Sequence, residues 1–317
     1  RNGDDLWLVW SVDNPERDAV NRTQLRYSAL KNGTWSEPLW IGNDGTADFD
    51  PAVAAAGNGV LMAWQNIGKG MTEEEGLGGM LKNSEISVTE SVYAADGISP
   101  NIITLTDDDA IDHSPRLAAD GEKALLVWTK SESLGFSPDD ELKPGSENGD
   151  RLYFSSWNNG TWGAPEPIGD ASYTVLDSSL AMAGEEGLLL YTLDMDNNLF
   201  TCEDREIFAR LYNEEAWGEE IRLTGNSFDD SAPKAVYADG QWLITWLQEG
   251  NILYKVGLDG ETKTEEWLSN IQGDYQLATK PGARPLVSLV YMQPGEDKAV
   301  GISSSFYDLG NGDRKSV

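Results

Sequence analysis

The stretch that decides the fold runs from Asp112 to Trp128. It reads Asp112-His113-Ser114-Pro115-Arg116-Leu117-Ala118, then a tight turn at Ala119-Asp120-Gly121-Glu122, then Ala124-Leu125-Leu126-Val127-Trp128. A short continuous apolar run bounded by turns marks a strand buried on both faces. Proline suits the start of a strand, where its missing N–H costs least. Asp-Gly between two such segments is a hairpin signal. The passage therefore reads as two antiparallel strands.

The passage recurs. An apolar run closed by an aromatic appears as Leu6-Trp7-Leu8-Val9-Trp10, Val60-Leu61-Met62-Ala63-Trp64, Leu188-Leu189-Leu190-Tyr191, Trp242-Leu243-Ile244-Thr245-Trp246 and Val287-Ser288-Leu289-Val290-Tyr291. All but the first copy are preceded by an Asp-led segment, at Asp48, Asp112, Asp177, Asp230 and Asp274. A third, alternating segment follows, as in Leu25-Arg26-Tyr27-Ser28 or Leu152-Tyr153-Phe154-Ser155, often closed by Asn-Gly at Asn32-Gly33 and Asn159-Gly160. A fourth pairs a Trp with an aliphatic at even spacing, Trp35 with Ile41, Trp162 with Ile168 and Trp217 with Leu223, which places both on one face of a strand. Trp267 with Ile271 is a shorter version.

Four strands in a unit of about 45 to 65 residues, repeated along the chain, predict an all-β propeller of four-stranded antiparallel blades. The expectation is six blades in a single domain over residues 1–317. The chain opens before a second strand, without the first, so the expected protein is longer than this sequence. Residues 299–303 read as a third strand, and 313–317 as the start of a fourth or as the closing strand of the ring.

Composition narrows function. The 317 residues carry 54 acidic and 23 basic side chains, a formal charge of −31. Such a surface repels phosphate backbones and anionic membranes, which sets nucleic acid aside as a partner. No apolar run approaches the about 20 residues of a membrane span, so membrane insertion is not expected. The single cysteine, Cys202, permits no intrachain disulfide.

The unit Asp-x-x-Pro-x-Leu-Ala, followed by Gly and Leu-Leu-Val-Trp, then Tyr-Ser and Asn-Gly-Thr-Trp-x-x-Pro, resembles the sialidase-like propeller repeats of large surface proteins of Gram-positive bacteria. The resemblance covers nearly the whole chain. It implies an extracellular module, at a bacterial cell surface or secreted, joined to other domains of the same chain. The function expected is non-catalytic binding or adhesion, with a glycan or protein ligand on the loop-rich face. A sialidase-like glycoside hydrolase and a structural spacer are the alternatives. Sialidase chemistry would need an arginine cluster, a Tyr nucleophile with a Glu partner and an Asp acid. Arg26, Arg116, Arg151, Arg210 and Arg284 do not recur as a triad, and Asn32-Gly33-Thr34-Trp35 keeps only the tail of the Ser-x-Asp-x-Gly-x-Thr-Trp box.

In a propeller the first strand of each blade lines the central channel, so Asp48, Asp112, Asp177, Asp230 and Asp274 would form a ring at its mouth. A ring of carboxylates needs neutralising by a hard cation, by protonation or by backbone N–H donors, and calcium is the cofactor such a ring could hold. His113, the only histidine, stands beside Asp112 as a candidate ligand-binding residue. Trp40 and Trp157 break the repeat pattern and are candidate exposed platforms for a sugar. Two insertions, Ile67 to Ser84 and Ser131 to Gly149, join second and third strands on the Asp-bearing side, where functional residues concentrate on rigid scaffolds. Asp194-Met195-Asp196-Asn197-Asn198 has the alternate carboxylates of a calcium loop, yet Leu199 and Arg205 stand where an EF-hand needs Gly and Glu.

Overall fold

The computed structural model describes residues 5–89, 100–131, 150–158, 160–259, 263–271, 273–280, 286–294, 300–308 and 313–316. It divides into two compact units, Arg1–Ser172 and Tyr173–Val317.

In the first unit β1 (Leu6–Asp13) pairs with β2 (Thr23–Lys31), and β2 with two short pieces, β3 (Thr34–Trp35) and β4 (Leu39–Trp40). The next sheet runs β5 (Asp48–Ala56), β6 (Gly59–Ile67), β7 (Ser84–Thr89) and β8 (Ile102–Thr104), with a one-helix excursion, α1 (Gly76–Lys82), between β6 and β7. Then come β9 (Ile111–Asp120), β10 (Lys123–Ser131), β11 (Asp150–Asn158) and β12 (Thr161–Trp162). The long β13 (Glu166–Ala183) leads on into the second unit.

There β13 pairs from Thr174 onward with β14 (Glu186–Asp194), which pairs with β15 (Arg205–Asn213). The pieces β16 (Ala216–Trp217) and β17 (Ile221–Arg222) lie along β15. A four-stranded sheet follows, β18 (Asp230–Ala238), β19 (Gln241–Gln248), β20 (Asn251–Val256) and β21 (Glu265–Leu268). The last is β22 (Tyr275–Lys280), β23 (Leu286–Pro294), β24 (Val300–Asp308) and β25 (Asp313–Ser316). Residues 313–316 thus add a fourth strand to β24. Chain order equals sheet order in the four-stranded units, and their successive strands pair antiparallel. The all-β expectation holds, with α1 as a local departure inside the first insertion.

The apolar phrases work as read. In β6, Val60, Met62 and Trp64 pack on Leu25, Tyr27 and Ile41, while Ala63 packs on Leu126 and Trp128, and Leu61 on Ala124. Alternate side chains of one strand thus serve two neighbouring sheets, which is why the run carries no polar residue. The second unit repeats this. Leu188 and Leu190 pack with Trp242, Ile244 and Trp246, and Leu243 packs with Val287, Leu289 and Tyr291. Burying each such side chain stabilises the fold by about 1.5–3 kcal/mol. The fourth-strand pattern is different. Ile41 is buried but Trp35 is 48% exposed, because the strand breaks at residues 36–38 and a period of two does not carry across the break.

Three of the repeated aspartates do one job. The indole N–H of Trp64 donates to Asp48 at 2.8 Å, that of Trp128 to Asp112 at 2.6 Å, and that of Trp246 to Asp230 at 3.0 Å. Two residues beyond the Trp a second donor joins: Asn66 to Asp48, Lys130 beside Asp112, and Gln248 to Asp230. The geometry needs a β-bulge in the first strand. Asp50, Ser114 and Ala232, each just before a proline, take positive φ of 43°, 54° and 50° where the register shifts. These are strained values for residues with a Cβ, held by the surrounding sheet.

Burial pushes the Asp48 carboxyl up to about 7, with Asn66 and Trp64 pulling it back. A raised carboxyl favours the folded state most when protonated. Its contribution is complete below the ordinary value of 3.8 and is lost as pH rises through 7. Asp48→Asn is expected to remove it. The stability of the native protein relative to this variant should then fall by at least about 1 kcal/mol between pH 4 and pH 8 in urea denaturation. A difference that stays flat with pH would mean that Asp48 is ionised throughout.

Candidate functional site

Register places the insertions and the repeated aspartates at one end of each sheet. Asp48 lies opposite Asn66 in β5–β6, and Ile111 opposite Ser131 in β9–β10. At that end of the first unit the bulge of β9 turns His113 toward the root of the second insertion. His113 Nδ1 lies 3.0 Å from Ser114 Oγ, and Nε2 lies 3.3 Å from Ser131 Oγ. Ser131 in turn donates its hydroxyl proton to Asp150. That last bond sets the direction of the rest. With its proton given to an acceptor-only carboxylate, Ser131 accepts from Nε2–H, and Nδ1 is left to accept from Ser114. The result is a one-way chain, Ser114 to His113 to Ser131 to Asp150. Beside it, Asp50 on the bulge of β5 pairs with Arg116 on β9 at 3.1 Å. Burial lowers the His113 pKa below 6.5, opposed by the charges of Asp150 and Asp50 and assisted by Arg116.

This cluster joins His113 to partners that were not singled out from sequence. Ser131 and Asp150 bracket the second insertion, whose own residues 132–149 lie outside the described residues. Their serine and aspartate identities look like ordinary loop chemistry until the bulge brings His113 over them.

The first insertion is packed rather than open. The Asn21 side chain donates to the Met71 carbonyl and accepts from its N–H, at 2.7 and 2.8 Å, while Ile67 and Met71 sit against Ala47. Glu75 folds back onto Thr72 and Lys69.

The repeated aspartates each have local partners. Asp48, Asp112 and Asp230 are held by indoles, as above. Asp177 accepts the N–H of Ser178, and Asp274 that of Tyr275 while pairing with Lys234 at 3.6 Å. Among the described residues, the carboxylates whose oxygens gather within 4.8 Å of one another are Asp194, Asp196 and Asp204, none of them from the repeated set. Trp157 requires correction. It is 3% exposed and packs on Ala56, Leu61 and Ala124, so it is a core residue and no platform. Trp40 is half-buried, with the Arg26 guanidinium 3.9 Å above its ring.

One grouping resembles sialidase parts. Tyr191 donates to Glu220 at 2.5 Å, and Arg210 donates to the Tyr191 hydroxyl at 3.2 Å. Burial and the Glu220 carboxylate raise the Tyr191 pKa far above its ordinary value, and the ring is 2% exposed. A nucleophile needs the opposite, a lowered pKa and access. Tyr191 occupies the place that Trp holds in β6, β10 and β19, and its hydroxyl satisfies the sheet edge. Arg284 lies outside the described residues.

No protein-family model and no curated protein matches this sequence. Solved structures do. The sialidase of Trypanosoma rangeli, in complex with sialic acid, aligns with a TM-score of 0.54 at 12% identity, covering 95% of this chain and 52% of its own. A polysaccharide lyase of family PL25, an ulvan lyase, aligns at 0.58 and 10% identity over 94% and 76%. The GH93 α-L-arabinofuranosidase of Fusarium graminearum with arabinobiose aligns at 0.56 and 14% over 96% and 90%. The likeness is one of fold. It supports the propeller-like architecture of sialidase type, and the chain spans about half the length of the sialidase. No helix among the described residues is long and apolar enough to cross a membrane.

Because the chain has one histidine, its imidazole C–H signals are assigned without ambiguity. The His113 titration followed by NMR is expected to have its midpoint below 6.5, and Asp150→Asn should lower it further by removing the opposing charge. A midpoint at or above 6.5 would mean that the charges of Asp150 and Asp50 outweigh burial, and a midpoint that Asp150→Asn leaves unmoved would mean that the chain to Asp150 is not formed.

Proposed function

We propose that this chain is a glycan-recognition module of propeller type, working outside the cell as part of a larger bacterial surface or secreted protein. The observation that carries the reading is the directed chain from Ser114 through His113 and Ser131 to Asp150, beside the Asp50–Arg116 pair. It offers hydroxyl, imidazole, carboxylate and guanidinium groups of fixed orientation at the sheet ends where the insertions emerge. Sugar hydroxyls are both donors and acceptors, and pre-oriented polar groups on a rigid sheet bind them without ordering costs. The solved structures that share the fold include proteins described with sialic acid and arabinobiose, which supports a saccharide as the ligand class. The net charge of −31 works against long polyanionic chains, so neutral glycans are favoured.

Binding of the purified chain to a broad glycan array, repeated with His113→Ala and Arg116→Ala, tests the reading. A reproducible neutral-glycan hit weakened about tenfold by either variant is expected, the loss of one or two hydrogen bonds. A hit untouched by both variants would move the site elsewhere. Turnover of a fluorogenic glycoside that Asp150→Asn abolishes would replace the binding role with hydrolysis.

A further inference from the structure

The loop between β14 and β15 is a second polar centre, confined to the second unit and independent of the glycan reading. Its three aspartates bring carboxylate oxygens within 4.8 Å of one another. We propose that this loop holds a divalent cation of the calcium class, ligated by Asp194, Asp196 and Asp204.

The loop satisfies both oxygens of Asp196 but only one each of Asp194 and Asp204. Asp194 Oδ1 accepts the N–H of Asn198 at 3.0 Å, and Asp204 Oδ2 that of Asp196 at 2.8 Å. Asp196 accepts the Asn198 N–H at 2.8 Å and the Thr201 hydroxyl at 3.1 Å. Asp194 Oδ2 has no donor, although the residue is fully buried, and Asp204 Oδ1 is likewise buried without one. Two residues upstream on the same face of β14, the Thr192 hydroxyl is also buried and unpartnered. Buried polar atoms in a folded chain are otherwise satisfied, and an anionic oxygen has the most to gain from a cation. The nearby guanidinium does not supply the charge, since Arg205 reaches Asp229 at 3.6 Å and the Leu199 carbonyl at 3.3 Å. Among the described residues no lysine or arginine pairs with any of the three aspartates.

The donors select the ion. Three carboxylates with a neighbouring hydroxyl form an oxygen-only set that suits a hard cation, and a soft or imidazole-seeking metal has nothing to bind. Ligands facing each other across calcium stand about 4.6–5.2 Å apart, twice its bond length, so a 4.8 Å cluster encloses it. The loop is not an EF-hand. Asp204, one residue before Arg205, closes the set from the start of β15, and the turn is shaped by Asn197 at φ 54°, whose side chain accepts the Thr174 N–H at 2.7 Å. The rival to a cation is a proton shared among the carboxylates.

Calcium titration by calorimetry, with thermal melts in calcium and in chelator, separates the two. The probes are the native chain, Asp194→Asn, Asp204→Asn and the surface control Asp239→Asn. Binding is expected at or below about 1 mM calcium, the range of extracellular modules, with a higher Tm in calcium than in chelator. Asp204→Asn should weaken binding at least about tenfold, abolish the calcium-dependent Tm gain and raise the Tm in chelator by relieving repulsion. Asp239→Asn should change none of these. Should Asp194→Asn fail to fold, Asp204→Asn, on a residue with partial exposure, still decides. No heat and no calcium-dependent melt up to about 5 mM, or a response that Asp204→Asn leaves intact, would overturn the proposal in favour of the shared proton.

Discussion

The hydrogen bond from a buried indole to a buried aspartate is the constraint on which much of the rest depends. A carboxylate in an apolar interior is costly unless its oxygens are met, and an indole N–H in the same interior is costly alone. Pairing them across the first and second strands solves both problems. It also fixes where the first strand must begin, because the Asp, opposite Asn66, Lys130 or Gln248, has to reach the Trp two residues before its partner. The bulge at Asp50, Ser114 and Ala232 follows from that demand, since only a shifted register lets the Asp turn inward while the strand beyond keeps its apolar face on the neighbouring sheet.

The same bulge shapes the polar surface at that end of the sheets. In the first unit the residue after the buried Asp meets the loop joining second and third strands, Phe49 packing beside Ile67 and Met71. In the β9–β11 sheet this residue is His113, and it lands on Ser131 and Asp150 at the root of an insertion. In the β5–β6 sheet the strained residue itself is Asp50, and it reaches Arg116. Where the Trp is replaced by Tyr191 the device is rebuilt. The hydroxyl turns to Glu220 and Arg210, and Asp177 caps its own turn.

The acidic loop of the second unit follows a different logic. A hairpin connection can dispose of its carboxylates by pointing them into water, as the exposed turns of this chain do. Asp194 instead closes β14 with its side chain fully buried, and the turn returns Asp204 over it. Backbone N–H groups neutralise part of that charge, and the remainder gives the loop its character.

The strands, hairpins and repeating four-strand unit were legible in the order of residues, because burial on two faces demands an uninterrupted apolar run and tight turns demand Asn, Asp or Gly. Asn32-Gly33 and Asp239-Gly240 turn as their types require, with positive φ at both residues. The turn at Glu214-Glu215 takes the same conformation with no such signal. Partner choice was not legible. Composition alone allows the repeated Asp to meet a cation, a proton or a backbone donor, and the indoles that claim three of them lie 16 residues away in sequence, on the other strand of a hairpin. Trp157 breaks the repeat in sequence yet fills a gap between sheets, because packing volume is a property of the neighbours. Periodicity is a local record of which face is buried. Which polar atoms meet inside, at His113 and at Asp194, is decided by strand register and loop closure, and those exist only once the tertiary structure has formed.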